Sequence, residues 1–317
     1  MQMKTFSFTA SDGCELFCYR WTPDPKKKIK GVIQLHHGMA EHALRYDRFG
    51  SILSENGYVL NAYDVRGHGR TAEIAEKKGT GLFGKLADKN GFDAVTNDLS
   101  EMINSLRDEY KKTPVFLIAH SFGSFVAQNY IESEKENVDG CILIGTAGPR
   151  PVLMTFGKII TGISKFIFGK NARKKFVEKI SFAGYLNHIK NPETSNDWLS
   201  RNKLNVQMYN ADQWCGQLMT TSFFYDMVSG LKKIHTKKNI RSIRKNLPVM
   251  FLFGEEDPVG GYGQTIRKLK DIYIKNGMTD VSLKSFPEDR HEILNEDDRE
   301  EVEKTILEWL KQVSSAR

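Results

Sequence analysis

The stretch Val115-Phe-Leu-Ile-Ala-His-Ser121-Phe-Gly123 constrains this chain more than any other. An apolar, strand-like run stops at a serine, and a helix-patterned segment begins at once. A sharp strand-to-helix turn is the geometry that joins the two, and it lifts the serine hydroxyl clear of the sheet. Small residues two before and two after the serine, Ala119 and Gly123, let the backbone bend without a clash. The usual pattern has Gly at the first of these positions, so Ala119 departs from it by one methyl group. The same turn aims the next backbone N–H, that of Phe122, at any oxyanion formed at Ser121.

The rest of the chain supplies the sheet that such a turn needs. Strand-like runs fall at 5–9, 15–21, 32–36, 58–64, 115–120, 141–145, 249–253 and 281–286. Helical spacing of apolar residues marks 92–107, with Phe92, Val95, Leu99, Met102, Ile103 and Leu106 on one face. The segments 122–135, 264–275 and 297–313 read the same way. Alternating strands and helices predict an α/β fold, a mostly parallel eight-stranded sheet with helices on both faces. Ligand sites in such sheets lie beyond the carboxyl ends of the strands. His37, Gly38, Asp64, Ser121, Gly148 and Asp257 all stand at such ends. The alternation breaks between about 149 and 220, opened by Pro149-Arg-Pro151. The expected organisation is a core of 1–148 and 221–317, with 149–220 inserted as a mainly helical lid.

A serine hydroxyl alone is a poor nucleophile. It needs a base to take its proton and an acid to orient that base. Three histidines follow Ser121: His188, His235 and His291. His188 falls in the insertion and His235 in a basic helical segment, so His291, between the last strand and the last helix, is the candidate base. Asp257, on the loop after strand 249–253, is the preferred acid, and Pro258 restrains it to an extended or turn conformation. Glu255 and Glu256 adjoin it as alternatives. A second oxyanion donor is expected from the N–H of Met39, with Gly38 letting the loop turn and His37 stiffening it. His36, His37, His42, Asp64 and His68 lack the helical spacing of a metal site and read as hydrogen-bonding loop residues. Neither a metal nor another cofactor is expected.

These motifs, with Asp64-Val-Arg-Gly-His-Gly69, Gly254-Glu-Glu-Asp-Pro-Val259 and Arg290-His-Glu-Ile-Leu-Asn-Glu296, occur in an order that resembles the monoglyceride lipase/lysophospholipase branch of the α/β-hydrolases. The inserted stretch Trp198-Leu-Ser-Arg201, with Asp212-Gln-Trp-Cys-Gly216, is similar to bacterial members of that branch. The resemblance spans about 5 to 310. It implies the α/β-hydrolase fold, hydrolysis of acyl-chain esters through an acyl-enzyme, and Met39 and Phe122 as oxyanion donors. An aminopeptidase-like serine peptidase and a thioesterase are alternatives on the same fold. A non-catalytic binding module would usually have lost one of the three candidate residues, and this chain keeps all three.

Composition narrows partners and compartment. Hydrophobic residues make up 40% of the 317 and charged residues 27%, enough for an ordinary core. The net charge of +7 comes without zinc-finger spacing, an RNA-binding signature or basic repeats, so no nucleic-acid partner is expected. Cys14, Cys18, Cys141 and Cys215 form no paired spacing, which suits a reducing, cytoplasmic compartment. No secretory leader is read at the N-terminus. Contiguous apolar runs fall far short of the ~20 residues that cross a bilayer. The stretch 152–180 is rich in Phe and Ile and edged with Lys165, Lys170, Arg173, Lys174, Lys175 and Lys179. That composition predicts peripheral contact with an anionic inner membrane surface. The plainer alternative is that these apolar residues only cover the sheet.

Overall fold

The computed structural model describes residues 2–315. The first half of the chain forms β1 (Gln2–Thr9), β2 (Glu15–Thr22), β3 (Gly31–His36), α1 (Asp47–Glu55), β4 (Tyr58–Tyr63), α2 (Gly69–Lys78), α3 (Gly91–Glu109), β5 (Val115–His120), α4 (Phe122–Ile131) and β6 (Gly140–Ile144). There follow α5 (Pro151–Phe168), α6 (Lys175–Ser181), α7 (Lys203–Ala211), α8 (Thr221–Ile234), α9 (Lys237–Ser242), β7 (Val249–Gly254), α10 (Gln264–Lys275), β8 (Val281–Phe286) and α11 (Arg299–Ser315).

All eight expected strands join one sheet, in the order β1-β2-β4-β3-β5-β6-β7-β8. The β1–β2 and β2–β4 pairs are antiparallel; every other pair is parallel. Strand β5 lies between β3 and β6 and is buried throughout. Its side chains alternate between two cores. Val115, Leu117 and Ala119 face a core closed by α3, α4, α8 and α10, while Phe116 and Ile118 face one closed by α1 and α11. A run buried on both faces reads as continuously apolar, which is why β5 is so plain in the sequence.

The predicted stripe of α3 is buried in full. Helix α4 ends at Ile131, four residues before the expected 135, and all ten of its residues are buried. It is wedged between the sheet and helices α3 and α8, so it has no wet face.

Helix α5 is built the other way round. Its buried residues are Thr161 and Ser164, and Gly157 and Gly162 approach Val228 and Tyr225 of α8. The apolar residues Val152, Phe156, Ile159, Ile163, Phe166 and Ile167 face outward, with Phe166 91% exposed. These six do not cover the sheet, whereas Val177 and Met154 of the same stretch pack on the core. Among the described residues, α5 is the one helix long and apolar enough, by length and composition, to cross a membrane. Counting contiguous apolar runs misses it, because Lys158, Lys165 and small polar residues interrupt the run without ending the helix.

Candidate active site

Ser121 caps α4 with φ +52 and ψ −122, a backbone conformation that costs an L-residue roughly 1–3 kcal/mol. The turn is held from both sides. The Ser121 N–H donates to the Ile144 carbonyl at 3.0 Å, and the Ser121 carbonyl accepts from the Ser124 hydroxyl at 2.6 Å. Gly123 is required by contact: a Cβ there would lie 2.3 Å from the His36 carbonyl and 2.5 Å from that of His37. Ala119, by contrast, is fully buried in the core, so its extra methyl group is accommodated. As the first residue of α4, Phe122 has no earlier carbonyl within the helix for its N–H.

The loop after β3 closes against this turn. A Cβ on Gly38 would lie 3.1 Å from the Ser121 Cβ, so the backbone runs directly past the serine. His37 donates from Nδ1 to the Gly38 carbonyl at 2.7 Å and accepts at Nε2 from the Val65 N–H at 2.9 Å. That pattern requires the neutral ring, and burial, with His68 nearby, holds the His37 pKa well below its ordinary value. The N–H of Met39 has no hydrogen-bond partner among the described residues.

The loops after β7 and β8 bring Asp257 and His291 together. His291 Nδ1 meets Asp257 Oδ2 at 2.9 Å, with both side chains buried. The other carboxylate oxygen of Asp257 accepts from the Val259 N–H at 2.8 Å. Glu255 pairs instead with Arg267 at 2.6 Å, and Glu256 is exposed. Asp257 is therefore the acid against the imidazole. Nε2 of His291 is buried without a hydrogen-bond partner among the described residues. Trp198 and His120 pack against the ring at centroid distances of 5.0 and 4.7 Å. His188 stacks on Tyr262 at 4.2 Å, and His235 is half-buried at the end of α8, so neither competes for Asp257.

A buried ionic network beneath these groups was not foreseen. Glu41 Oε1 accepts from the Gly38 N–H at 2.6 Å, the Tyr46 hydroxyl at 3.0 Å and His120 Nδ1 at 3.1 Å. Its Oε2 pairs with Arg45, which reaches Glu292 with two hydrogen bonds of 2.6 and 2.7 Å. His120 Nε2 donates to the His291 carbonyl at 3.2 Å. Both nitrogens of His120 thus face acceptors, which calls for the cation. Burial opposes that charge, but the hydrogen bond and charge of Glu41 outweigh it and raise the His120 pKa. Burial likewise opposes the charge on Glu41, and His120 and Arg45 keep its carboxyl well below the usual range. In the sequence Glu41 is simply the residue before His42, and nothing in that placement says that it ties the loop after β3 to His120 at the end of β5.

The other loop histidines and Asp64 are hydrogen-bonded as well. Asp64 accepts from the Ala43 and Arg70 N–H groups at 2.8 Å each, and burial pushes its carboxyl up to about 6. His68 Nδ1 meets the Arg66 carbonyl at 2.9 Å, and Arg66 is bound to Asp98 and Asp12. Among the described residues, His42, Asp212 and Cys215 are the group whose ligand atoms approach within 4.8 Å of one another. His42 Nε2 already meets Asp212 Oδ2 at 2.9 Å, and Asp212 Oδ1 accepts from the Trp214 N–H. The Cys215 N–H donates to the Asp212 carbonyl at 3.2 Å, so the trio as it stands is a hydrogen-bonded clasp.

Known proteins share this architecture. The chain is 26% identical over 298 residues to a monoglyceride lipase of Rattus norvegicus, covering 90% of this chain and 86% of that protein. A monoacylglycerol lipase of Mycolicibacterium smegmatis is 24% identical over 312 residues, covering 96% and 95%. A thermostable carboxyl esterase from Bacillus coagulans superposes with a TM-score of 0.89 at 25% identity, over 99% of both chains. A model of the serine aminopeptidase S33 family matches residues 27–298. With that match over most of its length and the α/β-hydrolase sheet beneath it, the chain belongs to the serine aminopeptidase S33 family of hydrolases.

Proposed function

We propose that this protein hydrolyses carboxylic esters of medium or long acyl chains, of the monoacylglycerol or lysophospholipid type, through an acyl-enzyme. Ser121 Oγ attacks the ester carbonyl while His291 Nε2 takes its proton. Asp257 holds the Nδ1–H and stabilises the imidazolium. The N–H groups of Met39 and Phe122 receive the oxyanion, each worth roughly 10²–10³ in rate. His291 then protonates the departing alcohol. Water, activated by the same imidazole, attacks the acyl-serine and releases the fatty acid with Ser121 restored. No step calls for a metal or cofactor.

One observation carries this reading: Asp257 bonds Nδ1 of His291 and leaves Nε2 unpartnered, at the sheet edge where the Ser121 turn stands. An aminopeptidase would need a free acid in the insertion to hold the substrate amine. Asp212 is bound to His42, Asp197 to the Glu193 and Thr194 N–H groups, and Glu193 to Lys203, while Glu178 is half-buried with its carboxyl pushed up by burial, which disfavours the charged form that would hold an amine. That favours esters, as do the lipase and esterase relatives.

The segment 149–220 is assigned as the lid, and its outward apolar helix α5 as the surface that docks on a membrane. Lys174, set over the Phe168 ring at 4.7 Å, adds a cation beside that surface for anionic lipid. Four unpaired cysteines agree with a cytoplasmic enzyme at the inner membrane face.

The test is chemical. A fluorophosphonate should label Ser121, mapped by mass spectrometry, and Ser121→Ala should lose on the order of 10⁴–10⁶ in turnover. A Ser121→Ala protein that keeps a tenth of the esterase activity sinks the assignment. Monoacylglycerols, lysophospholipids, acyl-thioesters and aminoacyl amides assayed side by side separate the substrate classes.

A further inference from the structure

The loop that carries Met39 is strained, and its support comes from far away. Ala40, the next residue, has φ +56, in the left-handed region where a Cβ is costly. Its carbonyl accepts two hydrogen bonds, from the Tyr209 hydroxyl at 2.9 Å and from the Gly216 N–H at 2.9 Å. Two residues further on, His42 Nε2 is bound to Asp212 Oδ2 at 2.9 Å. All three partners lie in one short stretch, 209–216, at the end of α7 and the loop beyond it. That stretch is itself well anchored. Tyr209 and Cys215 are buried with Trp198 and Leu199, and the Arg45 guanidinium lies 4.9 Å from the Tyr209 ring centroid.

We propose that 209–216 is a strap that positions the oxyanion loop, with the Tyr209 hydroxyl as its principal positioning group. The inference rests on the reading of Met39 as an oxyanion donor. Glu41 and His37 hold the Gly38 side of the loop; the strap holds the Ala40 side. With the Ala40 carbonyl released, the backbone is free to leave φ +56. Such a rotation re-aims the Met39–Ala40 peptide and, through it, loosens the placement of the Met39 N–H one peptide earlier. A misplacement of this kind costs catalysis rather than substrate binding, because the donor matters most where charge develops.

Tyr209→Phe removes one hydroxyl and keeps the ring under Arg45. On a short, water-soluble ester its kcat should fall about tenfold with KM within twofold of wild type. Affinity for an alkyl boronic acid, whose tetrahedral adduct needs both donors, should fall by the same factor, with the melting temperature unchanged. Asp212→Asn, which weakens the tie to His42, should act in the same direction by a smaller factor. Wild-type kcat and boronate affinity in Tyr209→Phe overturn the strap, and so does a lowered melting temperature with boronate affinity intact. Fluorophosphonate labelling of wild-type Ser121 is run alongside. Its absence overturns strap and triad together, whereas normal labelling with unchanged Tyr209→Phe kinetics overturns the strap alone.

Discussion

Ser121, Gly123 and Asp257 are where single side chains decide the local outcome, but the most exposed test at this scale lies outside the site. Both carboxylate oxygens of Glu132 are buried without a hydrogen-bond partner among the described residues. Burial pushes its carboxyl well above the usual range. In the unfolded chain the group titrates near ~4.3. The folded state therefore holds the proton more tightly, so its contribution is whole below about pH 4.3 and is lost as pH rises toward the folded value. Glu132→Gln should raise the urea midpoint at pH 7–8 and change it little at pH 4. A variant less stable than wild type at pH 8 would refute this account. Side-chain direction is the information that a string of residues omits. Glu255, Glu256 and Asp257 read alike in sequence, and only the path of the loop turns Asp257 toward His291 and Glu255 toward Arg267.

At the scale of elements, period and run length predict type well and surroundings poorly. All eight strands and the helices at 92–107 and 264–275 follow from alternation and apolar spacing. Helix α5 shows the limit. Its face of small residues packs on α8, and its apolar face looks outward, the reverse of an ordinary amphipathic helix on a sheet. An exposed apolar patch of this kind marks an interaction surface. Phe156→Ser with Phe166→Ser should weaken co-sedimentation with anionic vesicles by about tenfold or more and slow hydrolysis of vesicle-borne monoacylglycerol. Turnover of a short soluble ester should remain within twofold. Undiminished vesicle binding would remove α5 as the docking surface.

At the scale of the whole molecule, the three loops of the site are locked by charges far apart in the chain. Glu41 meets His120 across 79 positions, and Arg45 meets Glu292 across 247. Glu41→Gln would leave the buried His120 cation without its counter-charge, a loss on the order of 3 kcal/mol. Chemical denaturation should show it, with kcat reduced as the Gly38 and His291 loops loosen together; a variant of wild-type stability would show the network to be dispensable. The amino-acid sequence by itself determined the element types, the strand-to-helix turn at Ser121 and the short list of partners for it. Those follow from local periodicity and steric size, which act over a few residues. Tertiary structure alone decided which acid faces His291, which way α5 turns its apolar side, and that Glu41 and Tyr209 hold the loop bearing Met39. Such choices depend on pairings between distant segments and on the direction of each side chain, and neither leaves a periodic trace along the chain.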